Sequence, residues 1–285
     1  LPGIPLPPTL VPTSDLGEAL ARTTAILCVV PSHHVRNVMS EAASRIDGAP
    51  IIISASKGIE DESSRTMLGV LEDVLPARLK GRIAALSGPS FAREVARGMP
   101  TAVTAASVSA ATATQVQSTF TTSFFRVYTS TDVIGVELGG AVKNVIAIGA
   151  GLADGLGFGH NTRAALITRG IAELQRLGAR MGADPRTLAG LSGLGDLVLT
   201  CTGDLSRNRT VGLRLGRGEK LEDIVGDMKM VAEGIRNAKS VHQLAAKVGV
   251  DMPITEQMYL LLHEGKPPRQ VVIDLMGREL KPEFY

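Results

Sequence analysis

A lysine set among small and apolar residues is the first candidate for chemistry in this chain. Lys143 stands in Gly139-Gly-Ala-Val-Lys-Asn144, which continues as Val-Ile-Ala-Ile-Gly-Ala-Gly151. Partial desolvation would lower its pKa and make it a usable general base; the competing reading is a side chain that snorkels to solvent. Gly193-Leu-Gly-Asp-Leu-Val-Leu-Thr200 places Asp196 and Thr200 four apart, on one helix face. Flanked by Leu and Val, Asp196 is expected to be at least half buried. A buried carboxylate needs a cation or donors, and Lys143 is a candidate; a helix cap after Gly195 is the alternative. Ser206-Arg-Asn-Arg209 joins a hydroxyl, two guanidinium groups and an amide at an expected helix start. Such a site suits a phosphate, and a capped, solvated turn is the plainer alternative.

Two tight turns follow apolar runs. Ser87-Gly-Pro-Ser-Phe-Ala92 comes after a strand and is expected to open a helix, with Gly88 allowing close backbone approach and Pro89 in the first turn. Ser56-Lys57-Gly58 occupies the same kind of place, where Lys57 could meet an anion. In a parallel sheet these are carboxyl ends of strands, where ligands bind; either turn could also be purely structural. The five histidines show no ligand spacing, so no metal site is expected. No Gly-x-Ser-x-Gly elbow is present, Cys201 reads as buried filler, and the adjacent Asp61 and Glu62 read as a solvated pair.

These residues need elements to hold them. The chain has 285 residues, 44% apolar and 20% charged, a composition that fits a folded protein of two domains. Thirty basic against 28 acidic residues give no reason to expect a nucleic-acid or membrane partner. The two cysteines exclude a disulfide framework, and a reducing cytoplasm is the expected setting. No apolar run reaches the roughly 18 residues of a membrane span. The nearest pattern, Thr131–Ala153, contains Asp132, Glu137 and Lys143. No signal peptide is read at the start.

After a proline-rich opening, short β-branched runs at Ala25–Val30, Ile51–Ser56 and Ile83–Ser87 alternate with helical patterns at Val35–Ile46 and Ser64–Val74. Thr101–Ala106 and Phe125–Ser130 are further strands. This alternation predicts βαβ units and a parallel sheet buried on both faces. Beyond residue 131 only helices are expected: 131–153, 161–181, 184–201, 206–216, 220–228, 231–248, 254–264 and 268–277. The fold class is therefore an α/β region at 1–130, a partial Rossmann domain, followed by an all-α region at 131–285. A dinucleotide-binding domain opens with a strand, Gly-x-Gly-x-x-Gly and a helix. The nearest glycine pair, Gly155 and Gly157, follows no strand.

Val30-Pro31-Ser32, Ser56-Lys57-Gly58, Ser87–Ala92, Gly139–Gly151, Gly193–Leu197, Ser206–Arg209 and Val231-Ala-Glu-Gly234 occur in this order. In these blocks the chain resembles the bacterial NAD(P)-dependent glycerol-3-phosphate dehydrogenases, from Leu1 to near its C-terminus. The resemblance implies a helical domain of the 6-phosphogluconate-dehydrogenase type. It implies interconversion of sn-glycerol 3-phosphate and dihydroxyacetone phosphate with NAD or NADP, supplying glycerophospholipid synthesis. It implies that Lys143 is the proton acceptor, and that Lys57, Gly88, Ser90, Asp196, Ser206, Arg207 and Asn208 contact substrate, with Asn144 and Thr200 as additions. It places Lys57, Ala92, Arg207, Val231 and Glu233 beside the dinucleotide. The expected partners are the small substrate and a second copy of the chain.

The family carries roughly 50 further N-terminal residues, the size of a βαβ unit with its Gly-rich turn. The chain is accordingly expected to be a fragment, or a product read from a wrong start, that binds dinucleotide poorly and turns over little or not at all. Competing expectations are another 6-phosphogluconate- or 3-hydroxyacid-dehydrogenase-like enzyme, or a chain that only dimerises or binds a metabolite.

Overall fold

A computed structural model describes residues 1, 3–228 and 231–283. A short helix α1 (Leu16–Leu20) precedes strand β1 (Ala25–Cys28), helix α2 (Val35–Ala43), strand β2 (Ile51–Ser54), helix α3 (Met67–Val74) and strand β3 (Ile83–Ser87). Then come α4 (Ala92–Val95), β4 (Thr101–Ala106), α5 (Ala110–Phe120) and β5 (Phe125–Ser130). Among the described residues the five strands form one sheet in the order β1-β2-β3-β4-β5. Both faces are covered, as the continuous apolar runs require. Ile52 packs in the cluster with α2 and α3, whereas its neighbours Ile51 and Ile53 pack in the cluster with Val116 of α5.

One pairing departs from the expected parallel sheet. β1, β2 and β3 are parallel, and β5 is parallel to β4, but β4 runs antiparallel to β3. A parallel return needs a crossover about as long as the strand. The link over residues 88–100 holds only the four-residue α4, about 6 Å of helix against about 17 Å for a five-residue strand, and the chain turns back beside β3. β1 and β2 also end two residues before the apolar runs do, at Cys28 and Ser54, and the Ser56 hydroxyl there donates to the Val30 carbonyl.

The helical region is built on α6 (Val133–Gly155), followed by α7 (His160–Met181), α8 (Pro185–Leu188), α9 (Asp196–Thr202), α10 (Arg207–Gly216), α11 (Leu221–Asp227), α12 (Glu233–Val248), α13 (Pro253–His263) and α14 (Pro268–Met276). By length and composition α6 could cross a membrane, but 89% of its most apolar window is buried inside the protein, which makes it a core helix. Its glycines serve the neighbouring backbone. A Cβ on Gly151 would lie 1.9 Å from the Arg209 carbonyl oxygen, and one on Gly212 1.9 Å from that of Ile148. α6 and α10 therefore touch backbone to backbone, which brings the first turn of α10 onto Asn144.

The single helix expected over 184–201 is three pieces: α8, one π turn at Leu191–Gly195, and α9. The break is a packing effect. Gly193 lies against the Leu188 carbonyl, and Gly139 of α6 against the Ser192 carbonyl, with no room for a Cβ at either. The π turn is pressed onto α6, and Asp196 begins α9 facing Lys143.

Candidate active site

The carboxyl ends of β2 and β3 meet α6 and α9 at one carboxylate. Lys143 Nζ donates to Asp196 Oδ1 at 2.6 Å and to Thr200 Oγ1 at 3.0 Å. Lys57 Nζ donates to Asp196 Oδ2 at 2.6 Å and to the Gly88 carbonyl at 3.2 Å. The Thr200 hydroxyl donates to the Asp196 carbonyl, the contact expected of residues four apart. Asp196 is thus not a helix cap: each carboxylate oxygen holds a different ammonium. Its side chain is 1% exposed, that of Lys143 9%, and that of Lys57 21%, so Lys57 is the member that reaches towards solvent.

Electrostatics divide the labour. Burial depresses the pKa of Lys143, and the Lys57 charge lowers it further. Asp196 opposes both and does not win, so the amine is pulled down to about 8. Burial works to raise the Asp196 carboxyl, but the two ammonium groups override it and hold the group below the usual carboxylate range. At neutral pH the site therefore carries a fixed anion and an amine close to its titration point.

The turn after β3 supplies the floor. Gly88 has φ 147°, and a Cβ there would meet Val103 Cα at 2.9 Å. The Ser90 hydroxyl donates to the same Gly88 carbonyl that accepts from Lys57. The expected helix opens later than Pro89, at Ala92, because this turn takes up Gly88–Phe91. Ala92 is exposed.

A second group adjoins the first along α6, at Asn144 beside Lys143 and one turn from Gly140, against which Lys57 packs. Asn208 Nδ2 donates to Asn144 Oδ1 at 2.9 Å, and Asn208 Oδ1 accepts from the Gly234 amide. Arg207 is exposed and donates to the Val231 carbonyl at 2.8 Å. Glu233 opens α12 and accepts from Ser32, whose Oγ donates at 2.7 Å and whose amide donates at 3.3 Å. Within the tetrapeptide, Ser206 is the N-cap of α10, accepting from the Arg209 amide, and Arg209 pairs with Asp154 and Asp204. Here the cap of the plainer reading is present at Ser206, but the turn is not solvated: Asn208 is buried, Arg209 is part-buried against Asp154, and Arg207 is the exposed cation.

Two family models match the chain: NAD-dependent glycerol-3-phosphate dehydrogenase N-terminus over residues 1–113 and the C-terminus of the same family over 132–273. Glycerol-3-phosphate dehydrogenase (NAD(P)+) of Geobacter sulfurreducens is 57% identical over 285 residues, covering 100% of this chain and 85% of the relative. The chain belongs to the glycerol-3-phosphate dehydrogenase family. The Myxococcus xanthus member is 54% identical over 100% of this chain and 85% of its own length. The crystal structure of the Coxiella burnetii member superposes with a TM-score of 0.92 at 42% identity, covering 98% of this chain and 84% of that one.

The family's cofactor can be tested against the residues present. Val231, two residues before Glu233, is 46% exposed, and its carbonyl accepts from the Arg207 guanidinium. An exposed apolar residue, a carboxylate that accepts hydrogen bonds and a cation fit the nicotinamide end of a dinucleotide. An apolar groove of about 460 Å³, lined by residues such as Leu166, Ile254, Met258 and Val271, lies elsewhere and contains no member of either group.

Reading the sequence left Ser32 and Asn237 without a role. Asn237 is fully buried, its Nδ2 donates to the Ala141 carbonyl, and its Oδ1 has no partner. A serine after Pro31 reads locally as a helix start, and an asparagine on α12 reads as surface. Only the fold brings them to the site.

Proposed function

We propose that this chain interconverts sn-glycerol 3-phosphate and dihydroxyacetone phosphate with NAD(H) or NADP(H). The observation that carries the proposal is Asp196 holding Lys143 and Lys57 at 2.6 Å each, the first buried and the second part-exposed. The nicotinamide, when bound, supplies or accepts the hydride at C2.

Every proton step falls to the protein. In oxidation Lys143 takes the C2 hydroxyl proton; in reduction it returns that proton to the C2 oxygen. With its pKa lowered to about 8, the amine is mostly charged at neutral pH, which favours the reducing direction. Asp196 stays ionised and keeps Lys143 Nζ aimed. Lys57 and Arg207 provide cations for the phosphate dianion. Gly88, Ser90, Ser206 and Asn208, with Asn144 and Thr200, complete the substrate side. Lys57, Ala92, Arg207, Val231 and Glu233 border the dinucleotide.

In this reading residues 1–130 serve the dinucleotide and 131–285 the substrate. The enzyme acts as a cytoplasmic homodimer that feeds glycerophospholipid synthesis. The test is oxidation of NADH and NADPH by the 285-residue chain with dihydroxyacetone phosphate, beside Lys143→Ala. Turnover that depends on the ketone phosphate and is lost in the variant supports the proposal and overturns the expectation that these 285 residues turn over little or not at all. Turnover that survives within a few-fold refutes the assignment of Lys143. The same titrations measure how tightly the 285 residues hold the dinucleotide.

A further inference from the structure

We infer that Ser32 is a positioning residue for the nicotinamide end of the cofactor site, acting through Glu233. The inference rests on the cofactor reading above and adds a residue to it. Glu233 is the first residue of α12, and Ala232 before it supplies no side-chain cap. A glutamate in such a place ordinarily has three free torsions. Here its two oxygens are fixed separately, Oε2 by the Ser32 hydroxyl at 2.7 Å and Oε1 by the Ser32 amide at 3.3 Å. The contact joins residues 201 apart, from the end of β1 to the start of α12.

Ser32 is itself immobilised. It is 6% exposed and follows Pro31, which has no side chain to cap the short 3-10 turn. Ser32 therefore directs its hydroxyl across the fold instead of into its own turn. Gly58 packs against it so closely that a Cβ there would lie 2.6 Å from Ser32 Cβ, and the same Cβ would lie 3.0 Å from Asn237 Oδ1. A wedged serine gripping both oxygens holds the carboxylate in one orientation, two residues after exposed Val231. The ligand group that suits a fixed carboxylate with an exposed apolar residue close by in the chain is a planar carboxamide, presenting N–H to the anion. Glu233 then meets the cofactor without first being ordered.

The test is fluorescence titration of NADH into the full chain. Ser32→Ala is expected to weaken NADH about tenfold, by loss of a donor to a charged acceptor. Glu233→Gln is expected to cost a similar factor. The double variant should fall within about twofold of the worse single, because both changes remove one device. Affinity for dihydroxyacetone phosphate should stay at the wild-type value. Hydrogen exchange in the free protein gives a readout independent of the cofactor: Ser32→Ala should speed exchange over residues 231–236 and leave α7 unchanged. Ser32→Cys keeps the volume with a weaker donor, and carries the same decision if the alanine variant does not fold. Wild-type NADH affinity in the Ser32 variants, or a double variant equal to the product of the singles, overturns the inference and leaves the cofactor reading standing. No NADH binding by the wild-type chain would remove both.

Discussion

Two carboxylates in this protein are equally deep and oppositely charged in tendency. Asp196 and Glu173 are each 1% exposed. Glu173, on α7, accepts from the Ile254 amide at 2.5 Å, the Thr255 amide at 3.1 Å and the Thr255 hydroxyl at 3.0 Å, all in the first turn of α13. Burial pushes its pKa up to about 7, against the pull of those donors. Asp196 suffers the same burial, yet two ammonium groups hold it below the usual range. Depth alone therefore does not decide charge; the nearest full cation does. One carboxylate becomes a permanent anion at a chemical site. The other becomes a cap, near its titration point, that ties α7 to α13.

The comparison breaks most visibly at Lys143. If Asp196 exists to aim a proton carrier, Lys143→Ala should lower kcat about 10³-fold, the scale of one well-placed acid–base group. Lys143→Arg should fail almost as badly, since a guanidinium keeps the ion pair but does not release its proton. An arginine variant with near-wild-type kcat would mean that the lysine only neutralises Asp196. Next in size is Asp196→Asn, which leaves two ammonium groups around a neutral amide. Removing one partner of a buried pair costs about 3–5 kcal/mol. The variant is expected to melt well below wild type and to regain part of the loss at alkaline pH, where Lys143 sheds its proton. Equal melting temperatures for the two proteins would show that the bridge contributes no stability.

How much of this contrast could be read from the residues differs from place to place. Ile51–Ile53 announce a strand buried on both faces, and they form one. The direction of β4 is not written in its residues, because it is set by the path of the link over residues 88–100 and by the partner strand. Gly190, Gly193 and Gly195 sit inside an apolar periodicity that reads as one helix. The break there comes from α6 lying against Ser192, a contact 53 residues away in sequence from Gly139 to Ser192. Lys143 and Asp196 were legible because a charge flanked by small or apolar residues needs a partner. That Lys57 takes the other oxygen of Asp196, from 139 residues away, was not. Ser32 was less legible still, since local chemistry gives a serine after proline a sufficient job in its own turn. Ser206 shows the reverse case, where the local reading as a cap describes the residue.

Glu173 allows the other half of the comparison to be tested without touching the active site. Its folded pKa of about 7 lies above the ordinary 4.5, so the folded state binds more protons than the unfolded state between those values. Stability is fully present below about 4.5 and is lost as pH rises through about 7, by up to about 3 kcal/mol. Glu173→Gln removes the titrating proton and should flatten this slope, whatever the substitution costs in hydrogen bonds. Glu137 of α6, raised to about 7 chiefly by burial and accepting from the Leu68 amide, titrates in the same window. The flattening should therefore be partial until Glu137→Gln is added. Chemical denaturation between pH 4.5 and 8 measures it. An undiminished slope in the double variant would place the titration elsewhere.

The smallest effect is the most specific. Lys57 lowers the Lys143 pKa by charge, while Asp196 raises it. Lys57→Met keeps much of the aliphatic stem and removes the cation. Asp196 then acts on Lys143 alone, and the amine should return part of the way to its ordinary 10.5. The pH at which glycerol 3-phosphate oxidation reaches half its maximal kcat, set by loss of the Lys143 proton near 8, should move up by about one unit. The reverse reaction needs the protonated amine, so its alkaline fall should move up by the same amount. kcat at saturating substrate is the quantity to follow, because in the proposed reaction Lys57 also meets the phosphate, and its loss is then expected to raise KM. A midpoint that stays put while KM rises would leave Lys57 as a phosphate contact only, and the low pKa of Lys143 would then be the work of burial.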